Sequence, residues 1–290
     1  MKIEKATRRK CKIKLSVQGP SGSGKTFSSL ALAKGLTGDL SKVVVIDTEN
    51  GSSHLYAQLG NFSVLELAPP FSPERFIEAI EHVEHLGFDC IIIDSLSHEW
   101  FGSGGVLDIH GAMPGNSFTN WSKITPRHNA LIQKIVGADI HIIATLRSKT
   151  EYVIQNNNGK SVPEKVGMKA VQREDSEYEF TLAFELSKSH LSTISKDRTG
   201  LFKNKPEVYL SEDIGKQIKD WCATDTLAPK VNKEANTLTN LIMNASDIGQ
   251  LEELEHIFPE ARDTLRELIN AKKEEMRNHH LKFKQNGQLA

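Results

Sequence analysis

Gly19-Pro20-Ser21-Gly22-Ser23-Gly24-Lys25-Thr26 stands between the apolar run Ile13 to Val17 and the helix-like run Phe27 to Leu36. A polyphosphate presents closely spaced anionic oxygens, and holding it takes many donors at short range. Gly19, Gly22 and Gly24 permit positive φ and close approach, so that successive N–H groups and the start of the next helix point at one place. In the pattern G-x-x-x-x-G-K-[ST], Lys25 reaches the β- and γ-phosphates and the Thr26 hydroxyl binds Mg²⁺. A bare Gly/Ser-rich turn needs neither the strand before it nor the helix after it. The whole stretch therefore predicts a nucleoside triphosphate site formed by Gly19, Pro20, Ser21, Gly22, Ser23, Gly24, Lys25, Thr26 and Phe27.

Short β-rich runs recur at Ile13–Gln18, Val43–Asp47, Phe62–Leu67, Cys90–Asp94 and Ile140–Thr145, with helix-like segments between several of them. That alternation predicts an α/β fold with a mainly parallel central sheet, flanked by helices on right-handed crossovers. Pro73 to Leu86 is the clearest helix, with Phe76, Ile77, Ile80, Val83 and Leu86 on one face and Ser72 placed as N-cap. From Tyr152 the pattern becomes a β-hairpin with the polar tip Asn156 to Lys160, followed by strands over Tyr178–Leu186 and His190–Ser195. Gly102 to Asn116 reads as a flexible loop at the carboxyl edge of the sheet. A core over 1–224, a linker over 225–234, a helical tail over 235–277 and a disordered end over 278–290 complete the expected organisation.

At 290 residues the chain has room for one large α/β domain and a small appendage. Its 36 basic and 37 acidic residues give a net charge of −1, so any nucleic-acid contact has to come from a local patch. Cys11, Cys90 and Cys222 are far apart and form no C-x-x-C pair, which argues against a zinc site or a disulfide framework and suits a reducing cytoplasm. The start of the chain is basic without an apolar h-region, and no window approaches eighteen uninterrupted apolar residues; a soluble, unsecreted, cytoplasmic protein without a membrane partner is expected.

A triphosphate site needs a carboxylate for the water shell of Mg²⁺. Asp94 ends the buried run Cys90-Ile91-Ile92-Ile93 and has that place, although many strands in α/β proteins end in Asp for structural reasons alone. Hydrolysis also needs a group to orient or deprotonate water. Val43 to Ile46 ends in Asp47-Thr48-Glu49, and Glu49 at the carboxyl edge of the sheet can face the γ-phosphate while Asp47 caps a turn. The alternative for Glu49 is a solvated side chain.

From Lys12 to Cys222 the chain resembles the RecA-like P-loop ATPases, especially the small phage-type nucleotide-binding ATPases that accompany recombination genes. The resemblance rests on the phosphate loop, the I-D-x-E segment Ile46 to Glu49 and the I-D-S segment Ile93 to Ser95. It implies ATP and Mg²⁺ as cofactors, Glu49 and Lys25 in catalysis, and Asp94 with Thr26 at the metal. Thr145 stands where RecA has a γ-phosphate-sensing Gln, with Arg147 or Lys149 sharing the role. Lys196-Asp197-Arg198 resembles the K-x-R finger that reaches a neighbouring subunit's nucleotide, which implies a homo-oligomer, ring or filament, with Lys196 and Arg198 acting in trans.

In the same family the segment after the sensor strand contacts single-stranded DNA. Here it holds Arg147, Lys149, Lys160, Lys165, Lys169 and Arg173, with Tyr152 as a stacking residue. It also holds Glu151, Glu164, Glu174 and Asp175, as a solvated hairpin would. Trp121 reads as a core or interface anchor, and the histidines show no metal-ligand spacing. The resemblance implies an ATPase of a bacterial or phage-infected cell that acts on DNA in recombination or single-strand annealing, its helical tail docking a recombination partner. A helicase-like motor, a small-molecule phosphotransferase and a non-catalytic adaptor are the alternatives; intact Lys25, Thr26, Glu49 and Asp94 count against the last.

Overall fold

The computed structural model describes residues 10–157, 160–173, 176–203, 205–223, 242–257 and 268–276. The expected linker over 225–234 and the expected disordered end over 278–290 lie outside the described residues.

The central strands are Lys14–Gly19 (β1), Val43–Asp47 (β2), Ser63–Glu66 (β3), Cys90–Asp94 (β4) and His141–Asn157 (β5), of which β2 and β4 are runs of β-branched residues. Lys160–Ala170 (β6), Leu182–Leu186 (β7), Leu191–Asp197 (β8) and Val208–Tyr209 (β9) follow. The order across the sheet is β3-β2-β4-β5-β1-β7-β8-β9, with β6 paired to β5. From β3 to β7 neighbouring strands run parallel; β8 and β9 are added antiparallel at one edge.

Both faces of the parallel sheet are apolar because alternate residues of each strand point opposite ways. Val43, Val45, Cys90, Ile92 and Ile143 pack toward Lys25–Thr37 (α1) and Glu212–Ala223 (α6). Val44, Ile46, Ile91, Ile93 and Ile142 pack toward Pro73–His85 (α2) and Ser117–Gly137 (α5). α1 and α6 meet at Gly35 and Gly215, where an added Cβ would stand 2.1 Å from the Glu212 carbonyl oxygen and 2.3 Å from that of Leu32, respectively. α6 therefore docks by close backbone approach as well as by Ile214 and Ile218.

Two expectations are corrected. Gly102 to Asn116 is not wholly loop: after the short helix Ser97–Phe101 (α3) it contains Val106–Ala112 (α4), anchored by buried Val106 and by an Asp108 carboxylate that accepts from Gly104 N at 2.8 Å. The strand expected from Tyr178 starts only at Leu182, because Ser176–Glu179 forms a 3₁₀ turn in which Ser176 Oγ donates to the Arg173 carbonyl. The tyrosine and its acidic neighbours belong to that turn.

The chain divides into two compact units, one of them Lys10–Thr224. The other contains Ile248–Ile257 (α7) and helical residues 268–276, whose Leu251 and Ile269 join Ile242 in a small apolar cluster.

Candidate active site

β1 ends at Gly19, where a Cβ would stand 2.5 Å from Ser23 Oγ and 2.9 Å from the Leu186 carbonyl oxygen. The chain then turns through Gly22 and Gly24 at φ of 77° and 87°, the left-handed region that favours glycine, and α1 begins at Lys25. His190, in the turn between β7 and β8, braces the loop with Nδ1 3.0 Å from the Ser23 carbonyl oxygen. The unpaired N–H groups of the first turn of α1 and the positive end of its dipole thus sit at one mouth. Lys25 Nζ donates to the carbonyls of Gly19 and Pro20, both at 3.0 Å. Burial holds the Lys25 ammonium below the usual lysine range, while Asp94 and Glu49 oppose that shift.

β5 lies between β1 and β4, so Thr145, in the part of β5 that pairs with β1, sits beside Val17 of β1 and close to Asp94 of β4. Asp94 is buried and accepts from two hydroxyls, Thr26 Oγ1 on Oδ2 and Thr145 Oγ1 on Oδ1, each at 2.6 Å. Burial pushes its carboxyl above the ordinary value, the two hydroxyl bonds oppose this, and the nearby Glu49 and Asp47 add to it. Asp47 is taken up in shaping a turn: its carboxylate accepts from the backbone N–H of Glu49 at 2.6 Å, Gly51 at 3.3 Å and Ser53 at 2.8 Å. That turn carries Glu49 into the cleft, where Oε1 accepts from Arg147 Nη2 at 2.8 Å and Nε at 3.0 Å.

Ser21, Gly22, Gly24, Lys25 and Thr26 face Glu49, Asp94 and Arg147 across a cavity of about 490 Å³, the size of a small-molecule site. Ser52, Leu55 and Tyr56 also line it, and no motif singled them out. A further constellation stands behind the wall. Thr48 Oγ1 accepts from Ser95 N at 2.8 Å and lies 2.7 Å from Nδ1 of His98, which stacks on Phe71. Burial, followed by Arg147, lowers the His98 pKa. This histidine links the segments that follow β2 and β4, a contact that spacing along the chain does not encode.

Thr145 is fully buried behind Asp94, Ser23 is buried within the loop, and Phe27 lies on the first turn of α1, 38% exposed and outside the cavity lining. Arg147 joins the nucleotide cleft. Lys149, Lys169 and Arg173 line a different cavity. Lys160 and Lys165 are on β6, with side chains outside the described residues. Lys196 and Arg198 sit far from this chain's own phosphate loop. β8 runs back along β7 with Leu186 opposite Ser192 and Leu182 opposite Asp197, which places them at the amino edge of the parallel sheet. There Lys196 Nζ donates to the carbonyls of Glu177 and Tyr178, and Arg198 Nη2 donates to the Tyr178 carbonyl at 3.0 Å.

A hydroxyl and a carboxylate side by side, Thr26 and Asp94, form the hard oxygen pair that suits Mg²⁺, which takes one or two protein oxygens and completes its shell with phosphates and water. Among the described residues no helix is long and apolar enough to cross a membrane.

A parallel sheet with a glycine loop opening onto a helix, a lysine and a hydroxyl in that loop, and a carboxylate at the end of β4 define a P-loop nucleotide-binding ATPase. A family model described as an AAA domain matches residues 11–208, most of the chain, and the chain belongs to that family. No curated protein matches it.

Proposed function

We propose that the protein hydrolyses ATP with Mg²⁺ and acts on DNA as a homo-oligomer, in phage-type recombination or single-strand annealing. The observation that carries the hydrolytic part is the meeting of Thr26, Asp94 and Thr145 through one carboxylate while Glu49 lines the same cavity. Lys25 and the loop N–H groups neutralise the β- and γ-phosphates. Thr26 and Asp94 hold Mg²⁺, which when bound spreads the charge developing on the phosphate oxygens. Glu49 accepts a hydrogen bond from the attacking water and takes its proton. Thr145, bonded to the same carboxylate, reports on whether that carboxylate is engaged.

The DNA part is supported by the β5–β6 hairpin. Ser148 to Asn157 pairs with Lys160 to Ala170, and the hairpin begins one residue after Arg147, which grips Glu49. A ligand on the hairpin thus has a short covalent path to the hydrolytic group. The decisive measurement is ATP turnover on one purified sample with and without Mg²⁺ and single-stranded DNA, beside Lys25→Ala. Mg²⁺-dependent turnover, raised by DNA and lost in the variant, is expected. Undiminished ATP affinity and turnover in Lys25→Ala removes the site; turnover indifferent to DNA, with no DNA bound, removes the DNA reading.

A further inference from the structure

Two chains of contact leave the Glu49–Arg147 pair and meet at one side chain, His98. On the glutamate side, the preceding residue Thr48 has its Oγ1 2.7 Å from His98 Nδ1. On the arginine side, the Arg147 guanidinium lies 5.5 Å from the centroid of the Phe101 ring, and that ring meets the His98 imidazole edge-on at 5.3 Å and 62°. Together with the ion pair itself, at 2.8 Å, these contacts close a circuit through Glu49, Thr48, His98, Phe101 and Arg147.

α3 builds this circuit. His98 and Phe101 stand three positions apart, so one helical turn sets them on the same side. Ser97, the first residue of α3, accepts from the Arg147 backbone N–H on Oγ at 2.9 Å. The imidazole also stacks on buried Phe71, at 5.1 Å between centroids and 20° between planes. Thr48 follows β2, Phe71 precedes α2 and Phe101 ends α3, so three segments of chain fix one ring. Burial, then the charge of Arg147, holds the His98 pKa below its ordinary value, and near neutral pH an uncharged imidazole stands on the arginine side of the cleft.

Both members of the Glu49–Arg147 pair are partly open to solvent, and such an ion pair does not by itself confine two long side chains to one geometry. We propose that His98 is a positioning residue for Glu49, holding the carboxylate through Thr48 and its arginine through Phe101; this rests on the reading of Glu49 as the group that takes the proton of the attacking water. His98 stands outside the lining of the phosphate-loop cavity, so it acts through its neighbours and not on the nucleotide. A displacement of about 1 Å at a reacting group can cost on the order of 10²-fold in rate. Loss of the histidine therefore falls on the chemical step, while ATP affinity, set by the phosphate loop, is retained.

Full-length His98→Leu, His98→Asn, Glu49→Gln and the double variant His98→Leu/Glu49→Gln are compared by steady-state ATP turnover and by calorimetric binding of Mg·ATP. Leucine keeps the apolar packing against Phe71 and Phe101 but cannot bond Thr48; kcat should fall on the order of tenfold or more with Mg·ATP affinity at the parental value. Asparagine sets an amide where Cγ and Nδ1 stood, so it can still bond Thr48 Oγ1 and should recover most of the turnover. In the Glu49→Gln background the leucine change should add little, because residues that act as a unit are not additive. Phe101→Leu, which removes the support under the arginine, should likewise lower kcat without loss of affinity and add little to Glu49→Gln.

Parental kcat in His98→Leu beside a slow Glu49→Gln overturns the proposal while the reading of Glu49 stands. Parental turnover in Glu49→Gln removes that reading and the proposal with it. A leucine variant faster than the asparagine variant marks a packing role alone and overturns the proposal, as does a loss from His98→Leu that is as large in Glu49→Gln protein as in wild type. If His98→Leu does not fold, Phe101→Leu decides in its place, and a loss that adds in full to that of Glu49→Gln sinks the idea.

Discussion

The Arg147 guanidinium donates to Glu49 Oε1 through both Nη2 and Nε, at 2.8 and 3.0 Å, and lies 5.5 Å from the centroid of the Phe101 ring. Its backbone N–H is fixed separately by Ser97 Oγ at 2.9 Å. Both side chains are partly open to solvent, 40% for Arg147 and 29% for Glu49, so the pair is worth roughly 1 kcal/mol or less to stability. The pair orients Glu49 at the cleft and contributes little to holding the fold.

Glu49→Gln separates those two roles. The amide keeps the shape and can still accept from Arg147, but it is no longer a base. ATP binding should be nearly intact and turnover should fall roughly 10²-fold or more, the range for loss of a positioned base. Unfolding free energy should change by less than about 1 kcal/mol. Parental turnover in this variant would move the water-activating group elsewhere.

Thr145→Val tests the bridge behind the Thr26–Asp94 pair. The substitution keeps the volume of a fully buried residue but removes the hydroxyl that donates to Asp94 Oδ1 at 2.6 Å. A hydrogen bond to a carboxylate is worth about 1.5–3 kcal/mol, and denaturant unfolding should register a loss of that order. Turnover should fall with it, whereas Thr145→Ser restores the donor and should recover most of both. Equal behaviour of the valine and serine variants would show that the hydroxyl has no part in the site.

What was legible beforehand follows from locality. The loop from Gly19 to Thr26, its flanking strand and helix, and the strand ending at Asp94 are each continuous in sequence, and local spacing sufficed to expect a parallel α/β sheet. The Glu49–Arg147 pair joins residues 98 positions apart, and it arises because only β4 separates β2, which leads into Glu49, from β5, which carries Arg147. Thr48 and His98 meet because β2 and β4, whose ends they follow, are direct neighbours in the sheet. α5 was hidden by its polar face and by Pro126 within it, and α6 by Gly215, whose value is close packing on α1 and not helix propensity. The pairing of Trp100 with Trp121 likewise depends on how α3 and α5 cross, which spacing along the chain does not encode.

Lys14 offers a pH signature from the opposite edge of the sheet. Its buried Nζ donates to the carbonyls of Ala138 at 2.8 Å and Ile140 at 2.6 Å, and burial lowers its pKa to about 8 from 10.5. The folded protein releases this proton near pH 8 while the unfolded chain holds it to about 10.5. The unfolded chain then binds more protons, so this group's contribution to stability rises with pH through that window. The Cys90 thiol, pushed up from 9.0 to about 12 by burial, acts in the reverse sense from about pH 9 upward, which leaves pH 8 to 9 as the clean interval. Denaturant unfolding across it should give wild type a more positive slope than Lys14→Met. Identical slopes would mean that Lys14 titrates as in the unfolded chain.

Arg198→Ala should act in trans. Lys196 and Arg198 stand at the amino edge of the sheet, while their own phosphate loop is at the carboxyl edge, with the length of β7 between them. They cannot serve that loop without dismantling the β7–β8 pairing. If they serve a nucleotide, it is one held by a second copy, after exchanging the Tyr178 carbonyl for phosphate oxygens. Loss of such a finger lowers turnover on the order of 10³-fold where known fingers have been removed. Mixing supplies the test. Arg198→Ala subunits keep an intact phosphate loop and Lys25→Ala subunits keep an intact finger, so an interface that pairs the two is complete although each parent protein is inactive. Activity should partly return on mixing, in proportion to the mixed interfaces formed. If mixed assembly is confirmed and no activity returns, or if the wild-type protein hydrolyses ATP at full rate as a monomer, Lys196-Asp197-Arg198 is a turn that Asp197 caps and nothing more.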